Sequence, residues 1–261
     1  MTGQEEIGVG KKIRSILPPL LFWVAVWQLL SARVGAELLL PAPLTVVERL
    51  WELGGTAAFW LTAGATLGRI FTGFLAGVLL GGILAVLTFA SRWADRLLSP
   101  AIRVIRATPV ASFIILILLW VERGRVPGLI SALMVLPVVW GNVSRGLREV
   151  DPQLLELAQA YRFGRGKTAG LIYFPSARPY FTSACRTSMG LAWKAGVAAE
   201  VLCLPVRAVG TQVYYSKIYL ETPTLFAWTL VVVVLSFLLE RLMDVLLRHL
   251  EQRRAGHDKA A

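Results

Sequence analysis

The chain has 261 residues, 56% of them hydrophobic and only 16% charged, with a formal net charge of +11. Soluble domains run to about 45–50% apolar and about 25% charged residues, so long apolar blocks with so few charges exclude an ordinary soluble protein and point to an all-α integral membrane protein. The surplus of cations reads as cytoplasmic loops facing anionic membrane lipid and not as a nucleic-acid surface, because no loop holds a basic stripe interleaved with aromatics.

Residues 1–15 read as a cytoplasmic segment carrying Lys11, Lys12 and Arg14, followed by a transmembrane domain over 16–250. Its first span is 16–32. Val34-Gly35-Ala36 has the small-residue look of a signal-peptide cleavage site, but the large residues of the run and the spans behind it favour a retained helix. The outer segment 33–59 holds Leu40-Pro41-Ala42-Pro43, then a short amphipathic helix over 44–53. The second span, 60–90, carries Gly73, Gly77, Gly81 and Ala85 four residues apart. Small residues at that spacing line one helix face and allow another backbone to approach closely. This reads first as plain packing and second as a sliding surface.

The third span is 101–120 and the fourth 127–145. A polar loop over 146–178 leads to the fifth span, 179–204, and the sixth is 223–247, with a cytoplasmic tail over 251–261. Each span is near the roughly 20 residues that cross hydrocarbon. With the N-terminus inside, and with Arg103, Arg106, Arg145 and Arg241 counted with the inner segments their spans adjoin, 18 of the 27 Lys and Arg residues fall inside and 6 outside, leaving Arg69, Arg186 and Lys194. That bias places both termini and the loop 146–178 in the cytoplasm.

Within that loop lies "ELAQAYRFGRGKTAGLIYFP", whose Gly166-Lys167-Thr168 ends as a phosphate-binding loop ends. Such a loop needs a glycine five residues before Gly166, between a strand and a helix. Tyr161 stands there, and the segment before it is helical. Asp151 is placed to cap that helix, Pro152 suits its first turn, and Leu154, Leu155, Leu157, Ala158 and Tyr161 give it an apolar face. Nucleotide binding is therefore not expected, and no cofactor is. Cys185 and Cys203, if on one helix, stand about 27 Å apart and do not pair. His249 and His257 are the only histidines, so no metal site is expected.

The stretch resembles the EAA loop of ABC-importer permeases, in which Glu-Ala-Ala is followed by a glycine and later by Ile-x-Leu-Pro. Glu156-Leu157-Ala158 matches the opening and Ile172-x-Phe174-Pro175 the end, while the motif's glycine falls at Arg162. Gly164 and Gly166 stand close enough to supply the turn instead. Leu40-Pro41-Ala42-Pro43, Arg69, Gly190-Leu191-Ala192-Trp193 and Ala199-Glu200 are similar to the nitrate/sulfonate/taurine-type subfamily, over roughly residues 15–250. The resemblance implies six transmembrane helices and a loop that acts as a coupling helix. It implies a separate ABC ATPase subunit dimer inside, an extracytoplasmic substrate-binding protein outside and a second permease chain, expected to be identical. Glu156 would make polar contacts with the ATPase, Ala158 would permit close approach, and Arg162, Arg165 and Lys167 would meet acidic groups or merely retain the loop inside.

Arg186, Lys194 and Glu200 lie within the fifth span, where ionisable groups need a partner or a watery path. Lys194 and Glu200 are about 240° apart round a helix, so each is expected to find its partner elsewhere. Lys194 reads either as lining the path for an anion or as half of a structural ion pair. Arg186, nearer the inner end, is expected to anchor at headgroups or brace the loop. The resemblance implies nitrate, sulfonates, taurine or bicarbonate as the cargo, with a vitamin precursor as the alternative, and two rival classes stand beside the permease. An ion-coupled transporter needs intramembrane acidic or polar sites, and Glu200 is nearly alone. A membrane enzyme needs clustered nucleophiles and bases, and none is visible.

Overall fold

Alternating apolar runs and turn residues give a chain of helices in the computed structural model, which describes residues 3–258 and the side chains of 17–249. Parts of the expected tails, residues 1–2 and 259–261, lie outside the described residues. Eleven α-helices are described: α1 (Gly3–Val34), α2 (Pro43–Gly54), α3 (Ala57–Ala90), α4 (Arg92–Ala107), α5 (Val110–Ile117), α6 (Val126–Arg148), α7 (Pro152–Ala160), α8 (Arg165–Thr168), α9 (Phe174–Cys203), α10 (Val209–Ile218) and α11 (Thr222–Asp258). A π-helical turn over Ala169–Tyr173 joins α8 to α9. Among the described residues, three helices are long and apolar enough to cross a membrane: Leu17–Val34 of α1, α3 and α6.

The expected single span over 101–120 is broken. α4 and α5 meet at 105°, and they pass as one crossing only as a bent pair. The cause is Pro109, which has no N–H for the helix and pushes Thr108 into extended backbone at ψ 131°. Four arginines, Arg92, Arg96, Arg103 and Arg106, then fall on α4 ahead of the break.

The chain divides into two units, residues 1–60 with 212–231 and residues 61–211 with 232–261. In the first, prolines and exposed carbonyls around residue 40 are held by side-chain donors. Trp27 Nε1 donates to Pro41 O, Ser31 Oγ to Leu40 O and Thr222 Oγ1 to Leu38 O. Arg49 on α2 donates to Thr224 Oγ1 at 2.9 Å, and Trp27 stacks on Phe226.

The second unit holds the main core. Ile70, Phe74, Val139, Met189 and Trp193 are buried together. The glycine stripe of α3 lies against α6. A Cβ on Gly73 would stand 2.1 Å from the carbonyl oxygen of Gly128, one on Gly77 2.7 Å from that of Ala132, and one on Gly81 2.7 Å from that of Leu136. Two polar ties fix the neighbouring register: Trp140 Nε1 donates to Thr88 Oγ1 and Ser131 Oγ to Ala192 O. Cys185 and Cys203 are separate free thiols, both buried.

Candidate functional site

The loop 146–178 is an ordered structure of its own. Asp151 accepts a hydrogen bond from Gln153 N at 2.9 Å, capping α7 as its sequence requires. The helix sorts its apolar residues onto two faces. Ala158, only 4% exposed, packs inward with Val150 and Ile172, and Leu155 and Tyr173 pack against them. Leu154, Leu157 and Tyr161, at positions i, i+3 and i+7, remain exposed, Tyr161 at 70%. Ala158, expected to permit close approach, thus seats α7 on its own loop. Glu156 is exposed beside the outward stripe, and Pro175 opens α9.

The turn after α7 also differs from expectation. Phe163 N donates to Ala158 O at 2.8 Å and Arg162 N to Gln159 O at 3.0 Å, the paired bonds of a Schellman ending. That ending puts its middle residue in the left-handed region, and Arg162 sits there at φ 52°. Gly164 has φ −67° and begins α8 instead. So Arg162 itself makes the turn, and the nearby glycines do not replace it. A side chain in left-handed backbone costs roughly 1–2 kcal/mol, against roughly 0.5–1 kcal/mol of extra chain entropy for glycine. Arg162→Gly is therefore expected to stabilise the loop by about 0.5–1 kcal/mol. Hydrogen exchange of the α7 amides should slow by roughly 2- to 5-fold, and faster exchange would contradict this account of the turn.

The three charges expected within the fifth span separate into three environments. Glu200 is fully buried, and it does not face an open path. Its carboxylate accepts from Thr66 Oγ1 at 3.0 Å and Gly210 N at 3.1 Å, and pairs with Arg69 Nη1 at 3.3 Å. Arg69 also donates to the carbonyls of Val206 and Arg207. The cluster ties α3, α9 and the segment 205–210 together, with Gly210 close enough that a Cβ would stand 2.5 Å from Glu200 Cβ. Arg186 Nε lies 3.5 Å from Asp244 Oδ1, so one of its ion pairs is with α11. Lys194 is exposed, on a stripe with Thr187, Leu191 and Ala198 along an otherwise largely buried α9.

Sequence reasoning noticed Arg69 and Glu200 separately and did not join them. A lone cation in one apolar span and a lone carboxylate in another are a pairing signal in themselves. Asp244, a carboxylate in the sixth span, carried the same signal for Arg186, whereas Thr66 and Gly210 carried none, because a threonine or glycine in a helix has many uses.

Residues 77–255 match the family described as binding-protein-dependent transport system inner membrane component. An aliphatic sulfonates transport permease protein of Escherichia coli (strain K12) is 30% identical over 234 residues, covering 88% of this chain and 86% of its own. The taurine transport system permease protein of the same organism is 26% identical, covering 86% and 83%. The nitrate import permease protein of Synechococcus elongatus is 28% identical, covering 73% of each. In fold, the chain is similar to the solved structure of an amino acid ABC transporter with histidines, at TM-score 0.59 and 20% identity, covering 72% of this chain and 90% of that one. The chain therefore belongs to the binding-protein-dependent transport system inner membrane component family, as an ABC-importer permease of the nitrate/sulfonate/taurine group and not an enzyme in itself.

Proposed function

We propose that this chain and a second copy of it form the path by which a small anion crosses the membrane. The anion is of the sulfonate, taurine, nitrate or bicarbonate class that the relatives' names give, delivered by an extracytoplasmic binding protein. Six crossings put both termini and the loop 146–178 in the cytoplasm, with α4 and α5 together as the third and α9 and α11 as the last two. The excess of inner over outer cations supports that orientation. A cysteine at position 48 is then labelled from outside and one at 165 is not. The reverse pattern overturns the topology.

The observation that carries the reading is the outward stripe of α7. Leu154, Leu157 and Tyr161 stand exposed on a capped helix whose other face is anchored by Ala158. An apolar stripe on a short, rigidly seated helix is a helix-in-groove element, and an ATPase subunit is its proposed partner. One loop per chain and two grooves per ATPase dimer call for two permease chains. Tyr161→Asp is expected to weaken ATPase retention by at least 10-fold while the permease stays inserted and thermally unchanged. Retention at the parental level in a pull-down would discard α7 as the docking helix. Glu156→Ala should act in the same direction and less. Ala158→Trp is expected to release the ATPase too, now by unseating α7, with an accompanying loss of loop protection in hydrogen exchange.

Lys194 is the proposed attraction for the anion, since it stands on the exposed stripe of α9 within a span. Lys194→Gln is expected to lower uptake at least 5-fold in vesicles while assembly and ATP hydrolysis persist. Normal uptake would remove Lys194 from the path.

A further inference from the structure

The end of α3 and the coupling loop enclose a cleft of about 540 Å³ that the transport reading does not use. Val86, Phe89 and Ala90 of α3 form one wall, and Leu155, Phe163 and Phe174 belong to the other. This volume lies within the range of small-molecule sites, roughly 300–1,000 Å³, and its lining is mostly apolar. Val86, Phe163 and Phe174 are left exposed in it.

Two further features say what would fill it. The first is position. α3 is an apolar helix long enough to cross a membrane, and its wall of the cleft is its last turn, followed at once by Ser91 and Arg92. The cleft thus opens where hydrocarbon gives way to headgroups. The second is charge. Arg165 lines the cleft and has no salt-bridge partner among the described residues, while Arg162 and Lys167 stand exposed on either side of it in the chain. An apolar interior below a cationic rim is complementary to an acyl chain below an anionic headgroup, and cations at this level attract anionic lipid.

We propose that this cleft binds an anionic phospholipid of the adjoining leaflet, one acyl chain between α3 and the loop and its phosphate at Arg165. The bound lipid fills the space under α7 and so stiffens the support on which Ala158 rests. This inference requires α3 to cross the membrane. It does not require α7 to dock an ATPase, so the two readings fail separately.

The test uses the purified permease–ATPase complex in nanodiscs of phosphatidylcholine and phosphatidylglycerol, moved to detergent and weighed by native mass spectrometry. The parental complex is expected to retain phosphatidylglycerol in preference to phosphatidylcholine. Val86→Trp, which fills the cleft, is expected to cut retention at least 10-fold. Arg165→Gln is expected to abolish the preference for the anionic lipid while chain binding persists. Should Val86→Trp fail to assemble, Ala90→Leu fills the rim of the same cleft. Equal retention in the filled and parental complexes overturns the proposal, as does an unchanged lipid preference in Arg165→Gln. Retention by the permease alone that disappears when the ATPase is added also overturns it, because the cleft is then the partner's.

Discussion

Arg69→Met is expected to lower the unfolding midpoint of the purified permease by roughly 6–12 °C. The change leaves Glu200 fully buried with its counter-charge removed. Breaking such a pair costs about 3–5 kcal/mol. Here the lower figure applies, because Thr66 and Gly210 still donate to the carboxylate and Arg69 is itself partly exposed. About 3 kcal/mol corresponds to roughly 2–4 °C per kcal/mol in a chain of this size. The segment 205–210 should loosen first, since Arg69 also holds the carbonyls of Val206 and Arg207. The double change Arg69→Met with Glu200→Gln should be less damaging than Arg69→Met alone, because a neutral amide oxygen still accepts both remaining bonds. A double variant as unstable as the single one would mean that the arginine works through its carbonyl bonds and not through the carboxylate.

Two glycine-to-alanine changes in one helix should have opposite signs. Gly73→Ala sets a methyl group 2.1 Å from the backbone oxygen of Gly128. No rotamer relieves a clash with backbone, so α3 and α6 must separate along the stripe that also includes Gly77 and Gly81. Overpacking typically costs about 1–3 kcal/mol, and a backbone-to-backbone clash belongs at the upper end. Gly82→Ala, one residue past the stripe, meets nothing within 4 Å. It should be neutral or stabilise the helix by up to about 1 kcal/mol, the usual preference for alanine over glycine. Equal thermal stability for the two variants would show that α3 and α6 do not rest on this contact.

The consequences for transport differ between the two sites. The stripe places α3 on α6 along several turns, so its loss should lower the yield of folded permease. The Arg69–Glu200 cluster fixes one end of α9, the helix that also carries Lys194. Arg69→Met should therefore reduce uptake even in the fraction that remains folded.

Much of this protein was determined by the sequence alone. Composition marks a membrane protein, and apolar run lengths mark most of the helices, because a helix that must satisfy its backbone in hydrocarbon has few alternatives. Asp151 and Pro152 set the start of α7 through local hydrogen bonding and a fixed φ. The four-residue spacing of Gly73, Gly77 and Gly81 announces a close-packed face, since helical periodicity is a local property. Glu156-Leu157-Ala158 and Ile172-x-Phe174-Pro175 give the loop its resemblance to the EAA pattern by their order along the chain.

Tertiary structure decided what depends on residues distant in sequence. Whether Ala158 is enclosed turns on Ile172, which the π-helical turn brings under α7 to pack beside Val150. Arg162, and not Gly164, takes the left-handed position because the bonds from Arg162 and Phe163 to the end of α7 count residues from the helix and do not search for glycine. The apolar run 101–120 bends at Pro109 although hydropathy alone treats it as continuous. Glu200 is a buried tie and Lys194 an exposed cation, though both lie on the same helix. Their faces differ, and only the helices packed around α9 decide which face is enclosed.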